Sequence, residues 1–233
     1  KIKWWKENKV SLFNKVAHFV SLKSYVLQRI TGELLEDSSI GSGSGLMNIY
    51  KLDWEEEALD IAGITKKRLP EIVQPDHIMN GIKNEIYQET GLKSDISVVI
   101  GSADAGMSSL GSGTVNKDQM TLMIGSSGAI RRIVTKPKLD SKERLFCYYL
   151  GNDKWLAGGA INNGGIVLDW YLKTFGNWAQ KIAYKKGTSP YDVLSNKAQK
   201  ADPGSNDLLF LPLLAGERSP HWRGNMRGII SGI

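Results

Sequence analysis

The stretch VVIGSADAGMSSLGSG, Val98 to Gly113, changes character twice. A β-branched run over Ile96–Ile100 breaks at Gly101-Ser102, and one acid, Asp104, then stands among residues that are nearly all small. An apolar run of this kind reads as a short buried strand. Asp104 therefore falls at the carboxyl end of a strand, and two readings fit it. As a helix N-cap it would accept a hydrogen bond from an amide of the following AGMSSL segment. As a general base it would lie where open α/β sheets place their ligands.

Before this stretch the pattern is helical. From Ser11 to Ile30, residues Leu12, Phe13, Val16, Phe19, Val20, Tyr25, Val26 and Ile30 recur at three- and four-residue spacing, which predicts a helix with one buried stripe, stopped at Thr31-Gly32. IGSGSGLMN at 40–48 has the composition of a flexible linker. Asp53 precedes WEEEALDIAG, whose early acids suit the positive end of a helix closed by Gly63. A third helix is predicted over Asp76–Thr90, ending at Gly91, with Ile78, Ile82 and Ile86 on one face.

After it, strands dominate. Met120–Ile124 reads as a strand, and Gly151-Asn152-Asp153 reads as the turn of a hairpin joining LFCYYL to KWLAGG. Asn162 or Asn163 is placed to cap a helix running through Trp170 and Leu172, and a later helix covers about Tyr191–Ala201. Small and polar residues over Gly111–Lys117 mark a boundary, giving units of 1–114 and 115–233.

Composition bounds the partners. With 41% hydrophobic and 23% charged residues among 233, the chain is of ordinary globular type. LLFLPLLA at 208–215 is far too short to span a bilayer, and KIKWWKENKV lacks a secretory apolar core. The single cysteine, Cys147, excludes an internal disulfide and a multi-cysteine zinc site, reads as a small buried hydrophobe and fits a reducing cytosol. The net charge of +6 is spread out. Its densest clusters, Lys66-Lys67-Arg68 and Lys185-Lys186, lack interleaved aromatics and read as solvated surface rather than a nucleic-acid face. A surplus of positive charge also suits an anionic small molecule.

Three further blocks are rich in small or basic residues. GSSG at 125–128 follows a strand. Its backbone amides and the Ser126 and Ser127 hydroxyls suit a phosphate, and a plain hairpin fits the same letters. No Walker A or dinucleotide fingerprint is present. LAGGAINNGGIVLDW at 156–170 ends in a helix whose first amides could face an anion, with close packing at Gly164-Gly165 as the alternative and Asp169 about one turn further on. GERSPHWRGNMRG at 216–228 carries Arg218, Arg223 and Arg227, suited to phosphate or carboxylate, with Glu217 as a pairing acid, and reads equally as an exposed salt-bridged loop. Three histidines in the whole chain exclude an HExxH site, and His221 has no ligand partner at metal spacing.

Taken in order, KIKWWKEN, GSGLMNI, DWEEEALDIAGI, IGSADAGMSSLGSG, MIGSSGAIRR, GGAINNGGIVLDW and GERSPHWRGNMRGIISGI resemble the FGGY carbohydrate kinases, and within them the gluconate kinases. The resemblance implies the α/β, actin-like (ribonuclease H-like) ATPase fold. That fold has two domains around a cleft, with sugar mainly on the first and ATP on the second. Residues 1–114 would be the later part of the first domain and 115–233 the early part of the second. It implies phosphoryl transfer from ATP with Mg2+ to a hydroxyl of a sugar, sugar acid or polyol, most specifically gluconate to 6-phosphogluconate, in the cytoplasm.

Position by position, Asp104 matches the family's catalytic base. Gly125, Ser126, Ser127 and Gly128 match its phosphate-contacting turn, with Ser126 in place of the usual Thr. Gly165 matches a nucleotide-contacting glycine, and Asp169 falls where some relatives carry a nucleotide-contacting Gln. The acid linked to Mg2+ is expected upstream of Lys1 and further adenine-site segments beyond Ile233, so the chain resembles a central piece expected to be inactive alone. A homodimer is a further expectation that the residues do not fix. Xylulokinase or another sugar or polyol kinase, and a catalytically silent sugar- or nucleotide-binding relative, are the alternatives.

Overall fold

A computed structural model describes residues 1–116 and 118–233; Lys117, at the end of the expected boundary segment, lies outside the described residues. The chain divides into two units, each assembled from separate segments: Lys1–Gln119, Arg132–Lys138 and Cys147–Ala157 in the first, and Met120–Arg131, Leu139–Phe146 and Gly158–Ile233 in the second.

In the first unit the long helix predicted over Ser11–Ile30 is broken. Helix α1 (Ile2–Asn8) precedes it, and α2 (Val10–Lys15) and α3 (Leu22–Thr31) replace it, with Val16 extended at φ −70°, ψ 119°. The cause lies elsewhere in the chain. The Arg68 guanidinium donates to the carbonyls of Phe13 at 2.7 Å and Val16 at 2.6 Å, and it stacks over the Phe13 and Phe19 rings at 4.8 and 4.9 Å. Carbonyls that a continuing helix would use are thus claimed by a tertiary donor, and Arg68 is no solvated surface residue. Ser21 restarts the helix as N-cap, its Oγ accepting from the Ser24 amide at 3.0 Å, and Gly32 stops it in the left-handed region at φ 96°.

IGSGSGLMN is structured rather than a linker. Strand β1 (Leu35–Asp37) leads into α4 (Ser38–Gly43) and β2 (Met47–Asn48), and Asp37 caps α4 by accepting from Ser39 at 2.9 Å and Ile40 at 3.0 Å. A Cβ on Gly41 would stand 3.0 Å from the Met47 sulfur, so the small residues here serve close packing. Asp53 lies in strand β3 (Asp53–Trp54), antiparallel to β2 with Met47 opposite Trp54; the helix α5 (Glu56–Ala62) starts later and closes at Gly63 as expected. These elements enclose a core of Phe13, Met47, Trp54, Leu59, Ala62, Ile64 and Leu69. A 3₁₀ turn at Lys66–Arg68 leads to β4 (Glu71–Val73), which runs parallel to β1.

The helix predicted over Asp76–Thr90 is half right. Residues Ile78–Asn80 form β5, antiparallel to β6 (Ser97–Val99), and only α6 (Asn84–Thr90) is helical before Gly91. Pairing of Met79 with Val98, which leaves Met79 1% exposed, overrides the helix-like isoleucine spacing. Helix α7 (Asp104–Gly111) follows β6. It rests through Ala105 and Leu110 on Ile133, Leu150 and Leu156, and a Cβ on Gly106 would run into the Leu150 side chain.

Strands β7 (Thr121–Ile124), β8 (Gly128–Val134), β9 (Phe146–Gly151) and β10 (Lys154–Ile161) form a four-stranded sheet in the order β7-β8-β10-β9. The Gly151-Asn152-Asp153 turn forms as expected, with Asn152 and Asp153 at φ 50° and 52°, the left-handed pair that a two-residue hairpin favours. Beyond the sheet come α8 (Ile166–Phe175), α9 (Asn177–Lys186), α10 (Pro190–Ala198) and the antiparallel pair β11 (Leu209–Leu211) and β12 (Ile229–Ser231). Leu172, Ala179 and Leu194 pack the three helices together. Among the described residues no helix is long and apolar enough to cross a membrane.

Candidate active site

Asp104 is the first residue of α7, and Ala103 holds the cap position. The N-cap expectation is therefore off by one: among the described residues the Asp104 carboxylate accepts only from the adjacent Ala105 amide, at 2.7 Å, and strengthens the helix through its charge in the first turn. That leaves the exposed carboxylate on the wall of a first-unit cavity of about 540 Å³, whose polar lining includes Ser21, Glu36, Ser39 and Tyr148 and whose apolar side includes Trp54. Trp54 is fixed by its indole N–H, which donates to Pro70 O at 2.8 Å. Ser39 adds a second tie to α7, its Oγ accepting from the Ala103 amide at 3.3 Å.

Glu36 of the cavity lining neighbours a partly buried ion pair. Asp37, fully buried, forms an ion pair with Lys23, and Lys23 Nζ also donates to Gly101 O at 3.1 Å, just before α7. Beside it Glu36 is 4% exposed, and its Oε1 has no hydrogen-bond partner among the described residues. Burial pushes the Glu36 carboxyl above the usual carboxylate range; hydrogen bonding from Ser21 opposes this and the Asp37 charge adds to it. Glu36 carries no signal in the sequence, because an acid in the pair Glu36-Asp37 reads as a surface residue.

In the second unit the three small or basic blocks come together. GSSG is a hairpin loop, since β7 and β8 pair antiparallel with Ile124 opposite Gly128. The loop also closes over the start of α8. Gly164 and Ile166 amides donate to Ser126 O at 3.1 and 3.3 Å, and the Gly165 amide donates to Gly125 O at 2.7 Å. The amides expected to face an anion at that helix end are thus already used, and close packing is the reading the structure gives for Gly164-Gly165. On the loop's exposed side, Ser126 and Ser127 keep backbone N–H groups and hydroxyls without protein partners among the described residues. Those groups, backed by the positive end of α8, are what an anionic phosphate could use.

Asn162 and Asn163 do not cap α8, whose cap position is Gly165. They hold the third block instead: Asn162 donates to Ala215 O at 2.9 Å, Asn163 donates to Gly216 O at 2.7 Å, and the Ala215 amide donates back to Asn163 Oδ1 at 3.0 Å. Arg218 donates to Ile161 O at 2.8 Å, and Glu217 lies 3.9 Å from His221, so the expected pairing of Glu217 with an arginine gives way to a contact with histidine. Asp169 is bound to Lys173 at 2.7 Å and accepts from the Tyr191 hydroxyl at 3.1 Å; the Lys173 contact holds its carboxyl below the usual range. Cys147 is half-buried, and burial raises its thiol pKa, in keeping with a small packing residue. Among the described residues no group of three or more His, Cys, Asp or Glu is placed to hold a metal.

With this geometry established, similarity to known proteins is specific. Residues 1–111 match the N-terminal domain of the FGGY family of carbohydrate kinases, and residues 120–233 match its C-terminal domain. The gluconokinase of Bacillus subtilis (strain 168) is 40% identical over 233 residues, and the xylulose kinase of Lactococcus lactis subsp. lactis (strain IL1403) is 31% identical over 235. Each alignment covers 100% of this chain, against 45% and 44% of those relatives, so the chain spans less than half of their length. The crystal structure of gluconate kinase from Lactobacillus acidophilus superposes with a TM-score of 0.90 at 37% identity, covering 100% of this chain and 45% of that one. The fold is accordingly that of these kinases, the actin-like, ribonuclease H-like ATPase architecture. Two domain matches from one family, in the family's order, fill nearly the whole sequence: the chain belongs to the FGGY family of carbohydrate kinases.

Proposed function

We propose that the protein containing these residues phosphorylates a hydroxyl of an open-chain sugar acid at the expense of ATP, converting gluconate to 6-phosphogluconate. The observation that carries this reading is the placement of Asp104: an exposed carboxylate at a helix start, with no partner among the described residues beyond its neighbouring amide, on the wall of a cavity whose lining includes Ser21, Ser39 and Ser44. Likeness to the B. subtilis gluconokinase over the whole chain supports gluconate as the acceptor. The 31% identity to a xylulose kinase favours xylulose as the second reading.

The chemistry asks for position and charge rather than a covalent enzyme intermediate. Asp104 accepts the proton of the acceptor hydroxyl as its oxygen bonds to phosphorus and the phosphorus–oxygen bond to ADP breaks; the products are a phosphate ester, ADP and a proton. Ser126 and Ser127 bind nucleotide phosphate through backbone N–H groups and hydroxyls, Gly125 and Gly128 flank them as small residues that let the phosphate approach, and Gly165 holds that loop in place. Asp169 serves the nucleotide side only after exchanging Lys173 and Tyr191 for a ligand. ATP with Mg2+ is the phosphoryl donor of this reading. The metal would screen phosphate charge, and no ligand set for it is assigned within residues 1–233.

The test is Asp104→Asn in the intact protein, assayed for ATP consumption with gluconate, xylulose, ribulose and glycerol. Turnover is expected to fall by about 10²–10⁴-fold with the melting temperature only slightly lowered, because Asn keeps an acceptor for the Ala105 amide and loses only an exposed first-turn charge. Near-normal turnover would defeat the assignment of Asp104.

A further inference from the structure

Glu36 presents an unexplained cost. The residue lines the Asp104 cavity and is 4% exposed, and its buried Oε1 is without a partner among the described residues. A buried polar atom left unpaired is costly, and more so if it carries charge. Ser21 hydrogen-bonds to the carboxyl but leaves Oε1 unsatisfied, and the other neighbouring groups serve other contacts. Lys23 is held by Asp37 and Gly101, the Ser24 hydroxyl donates to Leu35 O at 2.5 Å, and the capping of α4 is done by Asp37. Strand β1 pairs with β4 through its backbone, for which any strand-forming side chain would serve.

We infer that Glu36 is a specificity-determining residue whose buried carboxyl takes a hydroxyl of the acceptor polyol in the cavity shared with Asp104. The inference rests on reading that cavity as the acceptor site. A polyol hydroxyl both donates and accepts, so it satisfies a carboxyl in either protonation state. Sites built to hydrogen-bond a substrate hydroxyl reject analogues that lack it far more strongly than apolar pockets do.

Wild type, Glu36→Leu and Glu36→Gln of the intact protein are compared by steady-state phosphorylation of gluconate, xylulose and glycerol, and by calorimetric acceptor binding without ATP. Glu36→Leu is expected to raise acceptor KM and Kd by about 10- to 100-fold, with KM for ATP unchanged and the melting temperature equal or higher. Glu36→Gln, which exchanges one oxygen for a donor, is expected to keep most binding while changing the ratio of kcat/KM among the three acceptors. Unchanged acceptor KM and Kd in Glu36→Leu overturn the inference; should that variant not fold, an unchanged acceptor ratio in Glu36→Gln overturns it alone. If the wild type neither binds nor phosphorylates any of the three, the acceptor-site reading falls and Glu36 with it. If it turns one over and the Glu36 variants match it, only the role of Glu36 falls.

Discussion

The Gly165 amide donates to the Gly125 carbonyl at 2.7 Å, fastening the GSSG loop to the first turn of α8. Loop and helix end thus act as one unit, and the groups left for a ligand are on the loop's outer side.

Gly164 is where that joint is tightest. A Cβ there would lie 2.7 Å from Ser127 O and 2.8 Å from Gly125 O, both backbone atoms that cannot swing aside. Gly164→Ala is expected to cost about 1–3 kcal/mol of stability and, in the intact protein, to raise KM for ATP while leaving that for the acceptor unchanged. Thermal melts and initial rates check both halves.

Arg68 joins two backbone carbonyls to two aromatic faces. Lysine keeps the charge but loses the planar fork and the stacking. Arg68→Lys is expected to destabilise the protein by about 1–3 kcal/mol, read by denaturant unfolding, and to expose the break between α2 and α3 to faster amide exchange.

Glu36 makes stability depend on pH in a defined direction. Its native carboxyl keeps a proton to higher pH than in the unfolded chain, so unfolding releases a proton in the window above the ordinary value of 4.5, and stability falls as pH rises through that window. Glu36→Gln does not titrate. It is expected to be the more stable of the two near neutral pH, with the gap closing as pH falls through the ordinary carboxylate range. Melting curves across that range measure it, and a gap constant with pH would refute the burial argument.

The residues differ in how openly they declare these roles. Gly32, Gly63 and Gly91 ended helices where expected, because a left-handed stop is a local requirement that glycine meets alone. The Asn152-Asp153 turn was legible for the same reason. What stayed hidden depended on distant partners: Arg68 breaking a helix at Val16, Val98 drawing Met79 into a strand, and Asn163 holding Gly216 instead of capping α8. Asp104 could be proposed from the run of motifs around it. Glu36 could not, since its significance comes from burial and a missing partner, which spacing does not record.

The seat of α7 has a consequence for recombination between relatives. The helix that begins with Asp104 leans on Ile133, Leu150 and Leu156, and a side chain at Gly106 would strike Leu150. A chimera that exchanged residues 1–114 as a cassette would part the helix from the surface that shaped it. Transplanting the acid intact would therefore mean carrying Arg132–Lys138 and Cys147–Ala157 along with it, so that heredity at this site is shared among three stretches of chain.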